Sequence, residues 1–344
     1  MGVAISALLV KKEIDLKFLT GKTLAVDGPQ WLYQFLSSIR QPDGTPLSDS
    51  KGNTTSHLMG LSTRVPNLME KGINLVFCFD GKVPDLKKKE RERRNGLKLE
   101  AESRYNEAKK SQDLLEMKKF AQRTSRLTGQ MIAEAKELLH AFGIPIVEAP
   151  SEAEAQAAHM VKKDDAYAVA SSDADVLMFG APRLVRNLNI VGRRKRPGKI
   201  AFEIVNPELV ELSENLNALG IDNDHLIALS MLVGTDYNVG GIKGIGPKSA
   251  LSLVKKHVNI SDVFKEAKWD EHFQIPWEEI FNLIKAIPVT DDYDLKSKPA
   301  DKEKIYEILV DNHDFAEERV NNTLERLSKE VEKKEQKGLT DFFK

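Results

Sequence analysis

Two short apolar stretches, each ending in an aspartate and a glycine, decide the fold class. Residues 23–28 read TLAVDG and residues 74–81 read NLVFCFDG, and both resemble buried strands. The apolar residues of segments 29–39 and 57–71 recur at helical spacing. This alternation predicts an α/β protein with a central, mostly parallel sheet flanked by helices.

The alternation continues beyond the second stretch. The further predicted elements are helices at 131–142 and 151–163 and strands at 144–147 and 166–170. After segment 183–190 we expect a basic turn at 192–199 that forms a hairpin tip, and mostly helices beyond residue 207. We expect one domain over residues 1–330 and a flexible tail over 331–344. Within the domain we distinguish an N-terminal region (about 1–100), a basic segment (about 86–127), an internal region (about 128–260) and a helical C-terminal part (261–330).

The composition excludes several protein classes. With 344 residues, 41% hydrophobic and 30% charged, the chain has ample material for a core and is not a disordered or collagen-like chain. Its one cysteine, Cys78, has no partner for a disulfide. No apolar stretch approaches the roughly 20 residues that span a bilayer. We therefore expect a soluble, intracellular protein with no membrane contact.

The charge is unevenly distributed. The net charge is −1, but Lys87–Arg126 holds 14 basic against 7 acidic residues. This segment is helix-prone and poor in apolar faces, so we expect it to project from the body or to cross a cleft. It suits a polyanionic partner, although a solvated helix with ion pairs four residues apart is an alternative.

Acidic residues follow several predicted elements. Asp27 and Asp80 end strands, Asp173 and Asp175 follow another, and Asp236 follows an apolar helix. In open α/β sheets, ligands bind outside the carboxyl ends of the strands, and an extended backbone would aim Asp173 and Asp175 the same way. Oxygen-only ligands select Mg²⁺ or Mn²⁺ rather than zinc.

Two glutamates have two possible roles. Ser151 and Glu154 fit a capping box at a helix start, which would make Glu154 structural. Glu152 and Glu154 are also placed to face the same sheet edge. Residues two apart on a helix point about 200° apart, so at most one of them binds a given ion directly.

Residues 241–249 read GIKGIGPKS. Pro247 interrupts the P-loop pattern and a helix precedes it, so we reject an NTPase. We predict a turn between two helices whose backbone N–H groups face a phosphate, and we call residues 241–246 the glycine hairpin. The residues that would face this phosphate are Gly241, Lys243, Gly244, Gly246 and Lys248. An ordinary glycine-rich turn is the alternative.

These motifs, in this order, resemble the structure-specific 5′ nucleases and specifically the archaeal type of flap endonuclease. The resemblance extends over nearly the whole chain. It rests on Asp27, on FDG at 79–81, on APSEAEA at 149–155, on SDAD at 172–175, on GTDY at 234–237 and on the glycine hairpin. It implies a helical arch over the active site, formed by the basic segment, and a helix-hairpin-helix element that binds DNA.

The resemblance also implies an activity: two-metal hydrolysis near the base of 5′ flaps in DNA replication and repair, with 5′-3′ exonuclease activity. Two Mg²⁺ ions, replaceable by Mn²⁺, would lie about 4 Å apart. The implied metal ligands are Asp27, Asp80, Glu152, Glu154, Asp173, Asp175 and Asp236. The products would carry a 5′-phosphate and a 3′-hydroxyl. We expect a cytoplasmic monomer that associates with the nucleoid at replication sites.

Four further residues take roles by the same resemblance. Lys87 and Arg94, seven residues apart and so on one helix face, would contact the scissile phosphate. Tyr33 would stack on a base, with a core tyrosine as the alternative. Gly2 would lie near the active site as the processed amino terminus; the start MGVAIS also fits a myristoylation pattern or an apolar segment packed on the core.

The last residues resemble the peptide that docks on the sliding clamp, PCNA. Residues 336–343 read QKGLTDFF, and Leu339, Phe342 and Phe343 would fill one pocket beside Gln336. The alternative is that the two phenylalanines fold back on the body.

The sequence departs from the family pattern at three places. These are Gly28-Pro29 after Asp27, Val83 after the FDG motif, and Pro66, which predicts a kink or break near Arg64. Two other function classes are a DNA-binding module without catalysis, which would not need the carboxylates, and a related nuclease acting as an exonuclease or at bubbles.

Overall fold

A seven-stranded sheet forms the centre of the protein. The computed structural model describes residues 5–328 except 112, 122–123, 189–191 and 196–201. In spatial order the strands are β1 (Lys12–Glu13), β9 (Glu208–Glu211), β6 (Arg183–Arg186), β5 (Ala168–Ala170), β2 (Thr23–Asp27), β3 (Asn74–Phe79) and β4 (Ile146–Glu148). The five strands from β6 to β4 pair in parallel, whereas β9 and β1 are antiparallel to their neighbours. The predicted mostly parallel sheet is confirmed.

Both faces of the sheet are buried, as parallel sheets require. Along β2, Leu24 and Val26 belong to one hydrophobic cluster and Ala25 to the other. Along β3, Phe77 and Cys78 divide between the two clusters in the same way. Because successive side chains of a strand point to opposite faces, continuous apolar runs are what such strands need.

Helices cover the two faces. One cluster draws on α1 (Gly28–Ser38), α2 (Ser56–Met69), α5 (Gly129–Ala141), α14 (Lys302–Tyr306) with the π-turn Glu307–Asp311, and the helical residues 317–328. The other draws on α6 (Ala153–Lys162), α7 (Asp175–Met178), α8 (Leu212–Leu219), α9 (Asn223–Val233), α10 (Pro247–Lys256), α11 (Ile260–Glu266), α12 (Trp269–His272) and α13 (Trp277–Lys285). A single 3₁₀ turn, Leu16–Leu19, precedes β2.

The basic segment forms the expected arch of helices. A 3₁₀ turn, Asp85–Lys87, leads into α3 (Lys88–Lys110), and α4 (Leu114–Ala121) packs against α3. Among the helices that the structure describes, none is long and apolar enough to cross a membrane.

Several predicted boundaries shift. The strands predicted at 144–147 and 166–170 are shorter and lie at 146–148 and 168–170, and segment 183–190 contains the strand at 183–186. Asn187 has a φ of 63°, which ends β6 in a turn. A hairpin is present as β7 (Gly192–Lys195) paired antiparallel with β8 (Phe202–Val205). The turn predicted at 192–199 is wrong over 192–195, which is strand, and residues 196–199 lie outside the described residues.

The structure shows how two of the departures from the family pattern, Pro66 and Gly28-Pro29, are accommodated. The break predicted near Arg64 is wrong: α2 continues through Pro66 to Met69, and the proline lies in its last turn. Gly28 opens α1 so close to β3 that a Cβ would lie 2.8 Å from the carbonyl oxygen of Cys78, and Pro29 falls in the first turn, where a missing N–H is harmless.

Candidate active site

The carboxyl ends of three neighbouring strands bring acidic residues together. Asp27 ends β2, Asp80 follows β3, and Asp173 and Asp175 follow β5; β2 lies between the other two strands. Glu152 and Glu154 join them from the start of α6, and Asp236 from the loop after α9. We call these seven residues the carboxylate pocket.

Asp27 is buried at the centre of this edge and is 2% exposed. Its Oδ1 accepts the backbone N–H of Gln30 at 3.1 Å, and its Oδ2 accepts the hydroxyl of Ser171 at 3.3 Å. Burial, and after it the charge of Asp80, raises the pKa of Asp27 to about 7. The carboxylate form is therefore disfavoured here unless a cation stands nearby.

Asp80 caps the helix that carries the two glutamates. Its Oδ1 accepts the backbone N–H of Ala153 at 2.8 Å, and α6 begins at Ala153 with Glu152 as the preceding cap residue. The capping box, one of the two roles considered for Ser151 and Glu154, is therefore wrong. Glu152 is the cap residue, and the side chain that accepts the N–H of Ala153 is that of Asp80, which follows β3. Glu154 lies in the first turn of α6. Burial, and after it the charges of Asp173, Asp27 and Asp175, raises the pKa of Glu154 well above its usual value.

Asp173 and Asp175 are close for a reason other than the predicted one. The strand ends at Ala170 and α7 begins at Asp175, so the backbone between the two aspartates is not extended. The N–H of Asp175 donates to Oδ1 of Asp173 at 3.2 Å. A local turn, not strand alternation, therefore sets their relative position.

The arch supplies two cations to the other side of the pocket. Lys87 Nζ lies 2.8 Å from Glu152 Oε1 and 3.5 Å from Asp236 Oδ2. Arg94 Nη2 donates to Asp236 Oδ1 at 2.6 Å. Burial lowers the pKa of Lys87, but the charges of Glu152 and Asp236 outweigh burial and the net pKa lies above its usual value. Lys87 is therefore charged at neutral pH.

Glu152 has a third partner that the sequence reasoning did not assign. The hydroxyl of Tyr237 donates to Glu152 Oε2 at 2.8 Å, and Lys87 Nζ lies 5.1 Å from the centre of the Tyr237 ring. Tyr237 is buried beside Asp236. The sequence signal for Tyr237 was its position in the GTDY motif, directly after the proposed ligand Asp236.

Three other residues that sequence reasoning missed support the pocket. Gln30 donates from Nε2 to the hydroxyl of Ser172, which joins α1 to the loop after β5. Ser171 holds Asp27, as described above. Glu90 binds Arg94, and its position four residues before that arginine is the spacing of helical ion pairs.

The donor set suits a hard divalent cation. All seven groups are carboxylates, and burial together with mutual repulsion raises the pKa of Asp27 and of Glu154. Over the described part of the chain, no three Asp, Glu, His or Cys side chains converge on one point in this conformation. On the arch side, Lys87 contacts Glu152 and Asp236, and Arg94 contacts Asp236.

Tyr33 lies on α1 and is 40% exposed, which argues against the core alternative. Lys98 of α3 lies over its ring at 5.0 Å and donates to its hydroxyl at 3.4 Å. The ring therefore stands between the body and the arch.

The glycine hairpin connects α9 and α10, as predicted, and its glycines differ. A Cβ on Gly241 (φ 60°) would lie 2.4 Å from the backbone of Val233, so this glycine is required by packing. Gly244 and Gly246 face open space, and Lys243 and Lys248 are exposed beside them. The outer part of the hairpin is thus the part that a ligand can approach. Gly2 and the tail residues Gln336, Leu339, Phe342 and Phe343 lie outside the described residues.

Comparisons with known proteins agree with this architecture. The XPG N-terminal domain family matches residues 2–101, and the XPG I-region family matches residues 143–236. The sheet and the site thus define a structure-specific nuclease of the XPG class.

More specific relatives narrow the class. Flap endonuclease 1 of Thermococcus onnurineus is 51% identical over 343 residues, 100% of this chain and 99% of that protein. The structure of flap endonuclease-1 from Methanococcus jannaschii matches with a TM-score of 0.76 at 42% identity, covering 97% of this chain and 100% of that one. The catalytic core of Rad2 in complex with DNA substrate matches with a TM-score of 0.66 at 25% identity, covering 92% and 96% of the two chains.

The chain belongs to the flap endonuclease 1 family. It is a nuclease, a phosphodiester hydrolase; metal dependence and a role in the replication and repair of DNA are typical of this family.

Proposed function

We propose that the carboxylate pocket holds two Mg²⁺ ions, replaceable by Mn²⁺, for hydrolysis of one phosphodiester at the base of a 5′ flap. The observation that carries the proposal is the union of seven carboxylates from separate elements with two cations of the arch. The proposed ligands are Asp27, Asp80, Glu152, Glu154, Asp173, Asp175 and Asp236. Bound divalent ions supply the charge that activates a water and stabilises the leaving 3′ oxygen.

Lys87 and Arg94 are proposed to contact the scissile phosphate. Both already reach into the pocket, at 2.8 Å from Glu152 and 2.6 Å from Asp236. When the carboxylates are neutralised by other cations, these two side chains are free to face an anionic oxygen. They orient the phosphate and offset its developing negative charge, and the products carry a 5′-phosphate and a 3′-hydroxyl.

Tyr33 is proposed to stack on a base beside the scissile bond, which its exposure between the body and the arch supports. We place Gly2 near the same edge. Ile5, three residues later, is buried in the same hydrophobic cluster as Ala25, Cys78 and Ala153. These residues lie on β2, β3 and the start of α6, the elements that carry Asp27, Asp80 and Glu154.

The glycine hairpin is proposed to hold duplex DNA through backbone N–H groups at Gly244 and Gly246, with Lys243 and Lys248 as flanking charges. Gly241 keeps the hairpin packed on α9. Such contacts recognise phosphate position and carry no base information. Binding there is therefore expected to fall with salt and to be independent of sequence.

The tail is proposed to dock on the sliding clamp, PCNA, through Gln336, Leu339, Phe342 and Phe343. A tether over residues 331–344 would raise the effective concentration of the nuclease body, residues 1–330, at the DNA. We further propose that the enzyme works as a monomer in the cytoplasm, at sites of replication on the nucleoid, and that it also removes nucleotides from 5′ ends.

The test is cleavage mapping on a labelled double-flap DNA, with gapped and bubble DNAs for comparison. We expect Mg²⁺-dependent and Mn²⁺-dependent cutting near the flap base, with 5′-phosphate products, and none after chelation. Preference for bubbles or for stepwise removal from a 5′ end would contradict the proposal and favour the related type of nuclease. Binding without cleavage under every metal condition would contradict the proposed metal site.

A further inference from the structure

The exposed arch helix α3 contains one buried acid. Of its residues, Glu90, Ala101 and Ala108 are the buried ones, and Glu90 is 4% exposed. Burial of a carboxylate is unfavourable unless opposite charges and hydrogen bonds compensate it. Its partners therefore indicate why an acid is tolerated at this position of a basic helix.

Glu90 accepts hydrogen bonds from two arginines. Arg93 donates from Nε at 2.6 Å and from Nη2 at 2.7 Å, and Arg94 donates from Nε at 2.5 Å. The same guanidinium of Arg94 continues from Nη2 to Asp236 at 2.6 Å. Because a guanidinium is planar and rigid, a bond at Nε sets the direction of its other N–H groups.

We propose that Glu90 is a positioning residue for cleavage, which holds the guanidinium of Arg94 at the carboxylate pocket in the orientation that meets the scissile phosphate. This rests on the role proposed above for Arg94. The bonds to Glu90 and Asp236 use two of the five N–H donors of the guanidinium, so donors remain for a phosphate oxygen.

The physical reason is the flexibility of arginine. The Arg94 side chain has many rotamers and is 39% exposed. Without Glu90, the conformational entropy of this side chain would have to be lost when the phosphate reacts, which costs free energy. That cost falls on the reaction step. DNA affinity is spread over many phosphates and changes little when one contact loosens.

Replacing an acid that only stabilises the helix should not slow cleavage. The arch contains a second ion pair with the same spacing that serves as the comparison. Glu100 binds Arg104 at 2.9 Å with the same four-residue spacing, but both side chains are more than half exposed. Glu100→Gln removes the same charge from the same helix and is the matched control for Glu90→Gln.

The experiment measures single-turnover cleavage and DNA affinity for Glu90→Gln, Arg94→Ala and the double variant, with Glu100→Gln as the control. We expect Glu90→Gln to slow cleavage about tenfold or more, with DNA affinity within about twofold. In the Arg94→Ala background, Glu90→Gln should have no further effect, because neighbours that act as a unit are not additive. Glu100→Gln should leave the cleavage rate within about twofold of wild type.

The outcomes separate this inference from the proposed function. Slow cleavage by Arg94→Ala with normal cleavage by Glu90→Gln would overturn the inference and keep the role of Arg94. Additive losses in the double variant, or a loss in Glu100→Gln equal to that in Glu90→Gln, would overturn it also. Normal cleavage by Arg94→Ala would refute the proposed role of Arg94 itself. If Glu90→Gln lowers the thermal midpoint strongly, Glu90→Asp repeats the cycle with the charge retained.

Discussion

The carboxylate pocket and the glycine hairpin are built in opposite ways. The pocket is anionic and has a buried centre at Asp27, Glu152 and Asp175, and its side chains come from elements far apart in sequence. The hairpin is flanked by lysines and exposed, and its shape is set by backbone packing between two consecutive helices, as at Gly241 against Val233. The difference implies that cutting and holding are separable, so variants of the pocket should change the rate and variants of the hairpin should change affinity.

The largest expected effect is in the pocket. Asp175→Asn should leave the fold and flap binding largely intact but reduce Mg²⁺-dependent cleavage by more than the ~10–100-fold typical of an outer-shell partner. Single-turnover rates and DNA dissociation constants measure the two effects. Asp291→Asn, at an exposed ion pair with His159 and Lys163, is the control. Turnover equal to wild type in Asp175→Asn would remove this residue from the site.

The arch cations should have the next largest effect. Lys87→Ala or Arg94→Ala should slow single-turnover cleavage by roughly 10²-fold, because each removes a charge that offsets the reacting phosphate. DNA affinity should change only slightly. Lys89→Ala, an exposed lysine in the first turn of α3, is the control. If only DNA affinity fell, Lys87 and Arg94 would serve to hold DNA, as the hairpin is proposed to do, and the contrast between pocket and hairpin would be wrong.

Tyr237→Phe tests the support of the pocket. Loss of the hydroxyl removes the 2.8 Å bond to Glu152 Oε2 and should slow cleavage about tenfold, as expected for a partner that orients a ligand. The readout that distinguishes it from a structural defect is the Mg²⁺ concentration at half-maximal rate, which should rise. An unchanged metal dependence with a lowered thermal midpoint would argue for a packing role.

The hairpin should show the reverse pattern, with a smaller effect. Gly246→Ala meets open space, so we expect DNA affinity lowered several-fold and an unchanged rate for bound substrate. Stability should fall by less than in Gly241→Ala, through the N-cap position of Gly246 at α10, where Ala is less favourable than Gly. Gly241→Ala should instead lower the free energy of unfolding by about 1–3 kcal/mol, since its Cβ would clash with the backbone of Val233. If Gly246→Ala and Gly241→Ala lost the same DNA affinity and the same stability, Gly246 would have no DNA contact of its own.

The smallest effect on free DNA is expected from the tail. Deletion of Leu339–Lys344 should leave cleavage of a free flap nearly unchanged and abolish stimulation by the clamp. Calorimetry with a peptide of residues 335–344 and the cognate clamp measures the contact directly. No detectable binding at high micromolar peptide would refute it.

Local pattern was enough for most of the fold. The apolar runs at 23–27 and 74–79 became β2 and β3 with the predicted bounds, because strands buried on both faces consist of continuous apolar residues. Errors arose where one residue changes a local geometry. Pro66 falls in a last helical turn and breaks nothing, and the turn at Asp173 replaces a predicted extension.

By itself, the sequence determined the α/β class, the elements that carry each acidic residue and the helix-hairpin-helix, since these depend on local spacing, and the family resemblance, since that depends on the order of motifs along the chain. Only the tertiary structure decided which side chains meet. Arg94 reaches Asp236 across 142 positions, and Asp80 caps a helix 73 positions later. It also decided that Gly241 is packed while Gly246 is open. Such contacts depend on how packed elements lie against one another, and no local pattern in the chain encodes that distance.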